Sequence, residues 1–258
     1  MARSASHRTR ATRVFGAAAV AALAGAIVAG CSTTQEEAAR LQLNSARIRA
    51  SQAPTRVTVA GNTVQVARLA LVPGRSGTAF VVQVHNPGTR AVSDLPISVG
   101  VREGHKRRFL NVQSQSEFSY YEAHLPVIAA GATLTWVYAS GRRLSRHARP
   151  FVAIGAAPSV PSPRTARLPV IRASVSRPTA AGAAARSPLA IVLHNESAIP
   201  QYQLQIYAYA EQGHRYVAAG NVTVAHLGSL ARQTATLPLL GDPINARLEV
   251  EALPTIVH

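Results

Sequence analysis

The chain has 258 residues, a net charge of +16, a sequence pI near 11.5 and a single cysteine, Cys31. One cysteine excludes an internal disulfide framework. Of the 27 basic residues only Lys106 is a lysine, and with the abundant Ala, Val, Gly and Pro this arginine bias is the mark of a high-GC bacterial genome, a codon effect without functional content.

The first 13 residues carry Arg3, Arg8, Arg10 and Arg13 and no acid, and residues 14–30, VFGAAAVAALAGAIVAG, carry no charge. A basic start, an apolar run and small residues before a cut site make an export signal over 1–30. A transmembrane helix needs roughly 20 strongly apolar residues, and this run is dominated by weakly hydrophobic Ala and Gly. The run ends in Val28-Ala29-Gly30-Cys31, which resembles the bacterial lipobox. The resemblance implies cleavage between Gly30 and Cys31, diacylglycerol on the Cys31 sulfur and, often, a further acyl chain (palmitate or similar) on the new amino terminus. Two or more acyl chains hold a protein firmly on a bilayer. The expected location is extracytoplasmic, at the bacterial cell membrane. Cleavage removes four basic residues and none of the 11 acids, leaving +12.

Residues 31–53 form a lipidated tether with a short helix. Thr33 or Thr34 can cap it, and Glu36 and Glu37 suit its positive end. From Thr55 the pattern turns to period two. "RVTVA", the Gly61-Asn62 turn and "TVQVARLALV" read as a hairpin. Phe80, Val82 and Val84 share one strand face, and Leu95, Ile97, Val99 and Val101 another. "ATLTWVYA" and "PFVAIGA" add strands, with Leu134 and Trp136 toward the core. Residues 54–155 thus read as a basic β-sandwich, 156–168 as a Pro-containing linker, and 169–258 as a second sandwich with a long loop over 177–188.

The chain repeats itself. Residues 81–105 align with 190–214 at a constant offset of 109, placing His85-Asn86 on His194-Asn195 and Gly104-His105 on Gly213-His214. "HLPVIAAGATL" from His124 resembles "HLGSLARQTATL" from His226. Asn86 and Asn195 open turns, where an Asn side chain bonds its own backbone. "VHNPG" and "LHNES", each followed by a second apolar strand, resemble the FxLYD-type and other immunoglobulin-like domains of bacterial lipoproteins. The resemblance covers roughly 78–138 and 189–240 and implies an all-β fold of two tandem immunoglobulin-like sandwiches.

Chemistry-bearing motifs are sparse. No G-x-S-x-G, S-x-x-K, C-x-x-C or Gly-rich phosphate loop is present, so the expectation is a non-enzymatic protein without a cofactor or catalytic residue. The histidines at His85, His105, His124, His194, His214 and His226 fall in three matched pairs, which admits a copper or zinc chaperone or sensor as the alternative function. Against it, no H-x-H or H-x-x-x-H spacing occurs. Basic residues cluster at two turns: Arg102, Lys106, Arg107 and Arg108 at one, Arg142, Arg143, Arg146 and Arg149 at the other. If both project from one end, they form an anion-binding end for anionic lipid or a cell-wall polymer. Nucleic acid is not expected outside the cell. The competing reading is solvated loop charge. In "QYQLQIYAY", Tyr207 and Tyr209 alternate with Ile206 and Ala208 and are expected to face outward, covering an open sheet or meeting a glycan or a protein partner of unknown identity.

Overall fold

The computed structural model describes residues 34–52, 57, 64–115, 118–145, 147–156, 168–176 and 188–255. The expected export signal, Cys31, most of the strand expected over 56–60, Arg146, and most of the linker and of the 177–188 loop lie outside the described residues. The described residues are all-β apart from one helix, and their antiparallel sheets form sandwiches.

Helix α1 (Thr34–Gln52) carries Glu36 and Glu37 in its first turn, and Glu36 lies 3.9 Å from Arg40 one turn on. Ala39 is fully buried and Arg40 sits beside the Tyr202 hydroxyl, so the helix rests against the body. No described helix is long and apolar enough to cross a membrane.

In the first sandwich, β1 (Gln65–Pro73), β2 (Thr78–His85) and β8 (Thr133–Ser140) form one sheet in the order β1-β2-β8. The facing sheet centres on β3 (Leu95–Glu103). One side of β3 pairs with β4 (Lys106–Phe109) and then β7 (Ala123–Leu125), the other with β9 (Arg149–Ile154). A hairpin of β5 (Val112–Gln115) and β6 (Phe118–Tyr121) stands between β4 and β7. The second sandwich sets β10 (Ile171–Val175), β11 (Leu189–Asn195) and β14 (Arg232–Leu237) against a four-stranded sheet. That sheet runs β15 (Leu240–Gly241), β13 (Arg215–Leu227), β12 (Gln201–Gln212), β16 (Arg247–Leu253).

The repeat is visible in the hydrogen-bond frame. β12 plays the part of β3, β16 that of β9, and the continuous β13 does what β4 and β7 do in two pieces. The partner strand runs from Phe109 to Leu125 in the first copy and from Ala219 to Val224 in the second, so β5–β6 is an insertion. Asn86 and Asn195 hold matching turns. Asn86 donates to the Arg90, Ile128 and Ala129 carbonyls and accepts from the Gly88 amide. Asn195 donates to Ile199 and Gly228 and accepts from Ser197. Both are buried and each pins its turn to a distant loop. Gly104 and Gly213 take positive φ (62° and 58°) at the first position of matching two-residue turns, where a side chain would be strained.

The third histidine pair does not survive this frame. Val92 bridges Ile128, and Gln201, which matches Val92, pairs with Leu227. Ile128 therefore corresponds to Leu227, and His124 and His226 stand three residues out of step. The shared His-Leu dipeptide is a coincidence of letters.

Each sandwich has its own core. Phe80, Val82, Val84, Leu95, Ile97, Val99, Val101 and Leu125 fill the first, and Ile191, Leu193, Leu204, Ile206, Leu227 and Leu237 the second. Burying each such side chain contributes about 1.5–3 kcal/mol. Tyr207, Tyr209, Tyr216 and Ala219 belong to neither face of the second core; they pack into the first. The two copies thus share an interface between the β1-β2-β8 sheet and the outer face of β13-β12-β16. Tyr207 is 1% exposed and Tyr209 6%, which corrects the outward placement expected from alternation. Alternation assigns Tyr207 and Tyr209 to the face opposite Ile206, as found, but it cannot reveal that another sheet covers that face.

Polar groups at this interface are matched. The Thr135 and Ala139 amides, on the edge strand β8, donate to Glu251 (3.4 Å) and Asn221 (3.1 Å), so side chains of the second copy cap a sheet edge of the first. Burial pushes the Tyr207 and Tyr209 phenols well above the usual tyrosine value, opposed at Tyr207 by a hydrogen bond from the Trp136 indole. The Tyr209 hydroxyl lies 2.7 Å from Glu249 and 2.8 Å from Glu251.

Candidate anion-binding faces

Register, more than clustering in sequence, brings the basic residues together. The two-residue turn at Gly104-His105 sets Arg102 opposite Arg107, and β9 sets Arg149 against the other side of Arg102. Arg107, Arg102 and Arg149 therefore form one row across three strands of the outer face, all exposed. Adjacent strands are about 4.8 Å apart, and like charges placed directly opposite destabilise a sheet.

The next row on that face is Phe109, Gly100 and Phe151. The two rings meet edge to face at 5.1 Å. Gly100 makes this possible, because a Cβ there would come within 2.6 Å of the Phe151 ring. The Arg102 and Arg107 guanidiniums lie 5.8 and 5.7 Å from the Phe151 centroid, within reach of a cation–π attraction. The site is thus an aromatic platform edged by three arginines.

The remaining expected residues divide. Lys106 pairs with Glu103 next to the turn; it is exposed at the same end but alternates to the face opposite Arg107. Arg108 alternates to the other face and lies 3.8 Å from Glu103; among the described residues it alone of the group pairs with a carboxylate. Arg142 and Arg143 are exposed on the connection from β8 to β9, which leads directly into Arg149 and so occupies the same end. Arg143 is held there by donating to the Arg75 carbonyl at 2.6 Å. Phe109, Phe151 and Gly100 were not singled out by sequence. The hairpin turn carried the signal for Arg102 opposite Arg107, whereas the pairing of β9 with β3 joins residues some fifty positions apart.

The matching row in the second copy is Tyr216, Glu211 and Arg247. It is occupied by the first copy: Arg68 lies 2.5 Å from Glu211, stacks 4.0 Å above the Tyr216 ring and donates to the His214 carbonyl. The same fold position thus accepts a cation in one copy and presents cations in the other.

The histidines are dispersed. His85 bonds Thr133 at 3.1 Å, His194 lies 3.6 Å from Glu196, and His226 packs on Tyr202. His105 and His214 sit in the two exposed turns. Among the described residues no three His, Cys, Asp or Glu side chains gather to hold a metal ion.

A second basic row, absent from the sequence expectations, crosses the outer face of the other sheet. Arg172 pairs with His194, and His194 with Arg232. It borders an open groove of about 620 Å³ lined also by Ser174, Val192, Val250, Ala252 and Leu253. Neither a protein-family model nor a curated protein matches this chain.

Proposed function

We propose that this is a non-catalytic lipoprotein, anchored through Cys31 to the extracytoplasmic face of a bacterial membrane, whose paired immunoglobulin-like sandwiches present a binding surface. Its first sandwich docks on anionic phospholipid headgroups through the row Arg102, Arg107 and Arg149, with Lys106, Arg142 and Arg143 adding charge at the same end. The observation that carries this reading is the row Arg107–Arg102–Arg149, three like charges in direct register with no carboxylate paired to them among the described residues. Such a row costs stability in isolation, and phosphate oxygens offset that cost with charge-assisted hydrogen bonds. The half-buried Phe109 and Phe151 beside it suit the boundary between headgroups and acyl chains. Each basic residue near an anionic membrane contributes about 1 kcal/mol, so the row orients the body while the acyl chains supply permanent attachment.

A form beginning at residue 32, lacking the anchor, is expected to sediment with phosphatidylglycerol vesicles, to be released by half-molar salt, and to ignore phosphatidylcholine. Arg102→Gln, Arg107→Gln and Arg149→Gln together are expected to lower that association by about a hundredfold, from about 1 kcal/mol per residue. Equal binding by the triple variant, or equal binding to both lipids, contradicts the docking surface. The anchor is tested separately, by the mass of the amino-terminal peptide from membranes: an unmodified Cys31 with residues 1–30 still attached refutes it.

A further inference from the structure

We propose that the groove on the second sandwich, bordered by Arg172, His194 and Arg232, binds a phosphomonoester carrying a compact apolar group. The site is separate from the arginine face of the first copy and independent of its role. Three side chains stand in consecutive register across β10, β11 and β14. With strands about 4.8 Å apart, Arg172 and Arg232 flank His194 closely enough for both guanidiniums to converge over it.

One carboxylate serves this row. Glu196 lies 2.5 Å from Arg172 and 3.6 Å from His194. Among the described residues no acid pairs with Arg232. Glu251, the other acid on the groove wall, directs its oxygens to Tyr209 and the Thr135 amide. The groove therefore has an unanswered positive charge at one end and apolar wall, Val192, Val250, Ala252 and Leu253, along its length.

The first copy supplies the contrast. Its equivalent row is Gln65, His85 and Thr133, uncharged at both flanks, with His85 bonded to Thr133. The cations flanking His194 are thus not a consequence of the fold, which is stable without them at the same place. A phosphate monoester offers three terminal oxygens to three donors, and two guanidinium forks favour it over a single-plane carboxylate. The apolar wall selects an ester over free phosphate.

The test is calorimetric titration of the full chain, held in phosphatidylcholine nanodiscs, with phenyl phosphate, inorganic phosphate and benzoate. The expected result is saturable binding of one phenyl phosphate per chain, at least tenfold tighter than either other probe. Arg232→Gln and Arg172→Gln should each weaken it about tenfold, while Arg102→Gln leaves it unchanged. Far-UV circular dichroism checks that each variant is folded. Absence of saturable phenyl phosphate binding, equal affinity for all three probes, or indifference to both groove substitutions overturns the proposal. Because Arg102→Gln weakens vesicle docking and not this binding, failure of one site is distinguishable from failure of the other.

Discussion

The two copies solve one problem in different ways. The outer face of the β3 sheet and the outer face of the β12 sheet are equivalent, and each carries residues that a lone sandwich would leave in water. In the second copy the first sandwich covers this face, with Tyr207, Tyr209 and Tyr216 buried beneath it. In the first copy no further sandwich precedes it among the described residues. There the β5–β6 insertion contributes Tyr121, which packs near Pro96 and Gly155 at the edge of the same face. Ser98 and Asn111, equivalents of Tyr207 and Asn221, are buried there. What stays uncovered is the arginine row. The contrast shows how duplicated surfaces diverge: one copy becomes an internal joint and the other keeps its arginine row exposed.

The two faces differ most at the matched pair Tyr207 and Ser98. Tyr207→Ala leaves a void between the copies and is expected to destabilise the chain by about 3–5 kcal/mol, read as a lowered midpoint in urea. Ser98→Ala should move the other way. The Ser98 hydroxyl is buried without a hydrogen-bond partner among the described residues, so deleting it is expected to stabilise by about 1 kcal/mol. Equal and small effects at both positions would mean that the two faces are not buried as described.

A smaller effect at neutral pH concerns Glu251. Burial raises its carboxyl above the ordinary glutamate value, with hydrogen bonds from Tyr209 and Thr135 opposing that rise. Between the ordinary value and the raised one, the folded chain holds a proton that the unfolded chain has released, so stability falls as pH increases through that window. The geometry agrees: the one Tyr209 proton serves only one of its two carboxylate neighbours, and a protonated Glu251 supplies the second hydrogen bond. Glu251→Gln carries an amide proton at every pH. It is expected to raise the melting temperature at pH 7 and to flatten its decline between pH 4 and pH 7. A steeper decline in the variant would assign the charged form of Glu251 a stabilising role instead.

Local pattern carried much of this into the sequence. Period-two alternation placed Phe80, Val82, Val84, Leu95 and Ile97 in the core, and the offset of 109 matched Asn86 to Asn195, because turn chemistry and strand pleat act within a few residues. The Gly104-His105 turn fixed Arg102 opposite Arg107 for the same reason. Long-range facts were not legible. That β9 delivers Arg149 to the same row, that Phe151 lies across Gly100, and that the outer face of β12 is a joint all depend on pairings between distant segments. Tyr207 was misplaced on that account alone. His124 and His226 show the converse limit, a match of letters at positions that the strands hold three residues apart.

On the proposed reading, the first copy's arginine face meets anionic lipid while its counterpart in the second copy stays closed. Amide hydrogen exchange on the anchored protein, compared in phosphatidylglycerol and phosphatidylcholine vesicles, addresses both halves. The expected result is added protection over 100–109 and 149–152 in phosphatidylglycerol only, with 207–219 slow in both lipids. Protection that is the same in both lipids over 100–109 and 149–152, or fast exchange over 207–219, would contradict it.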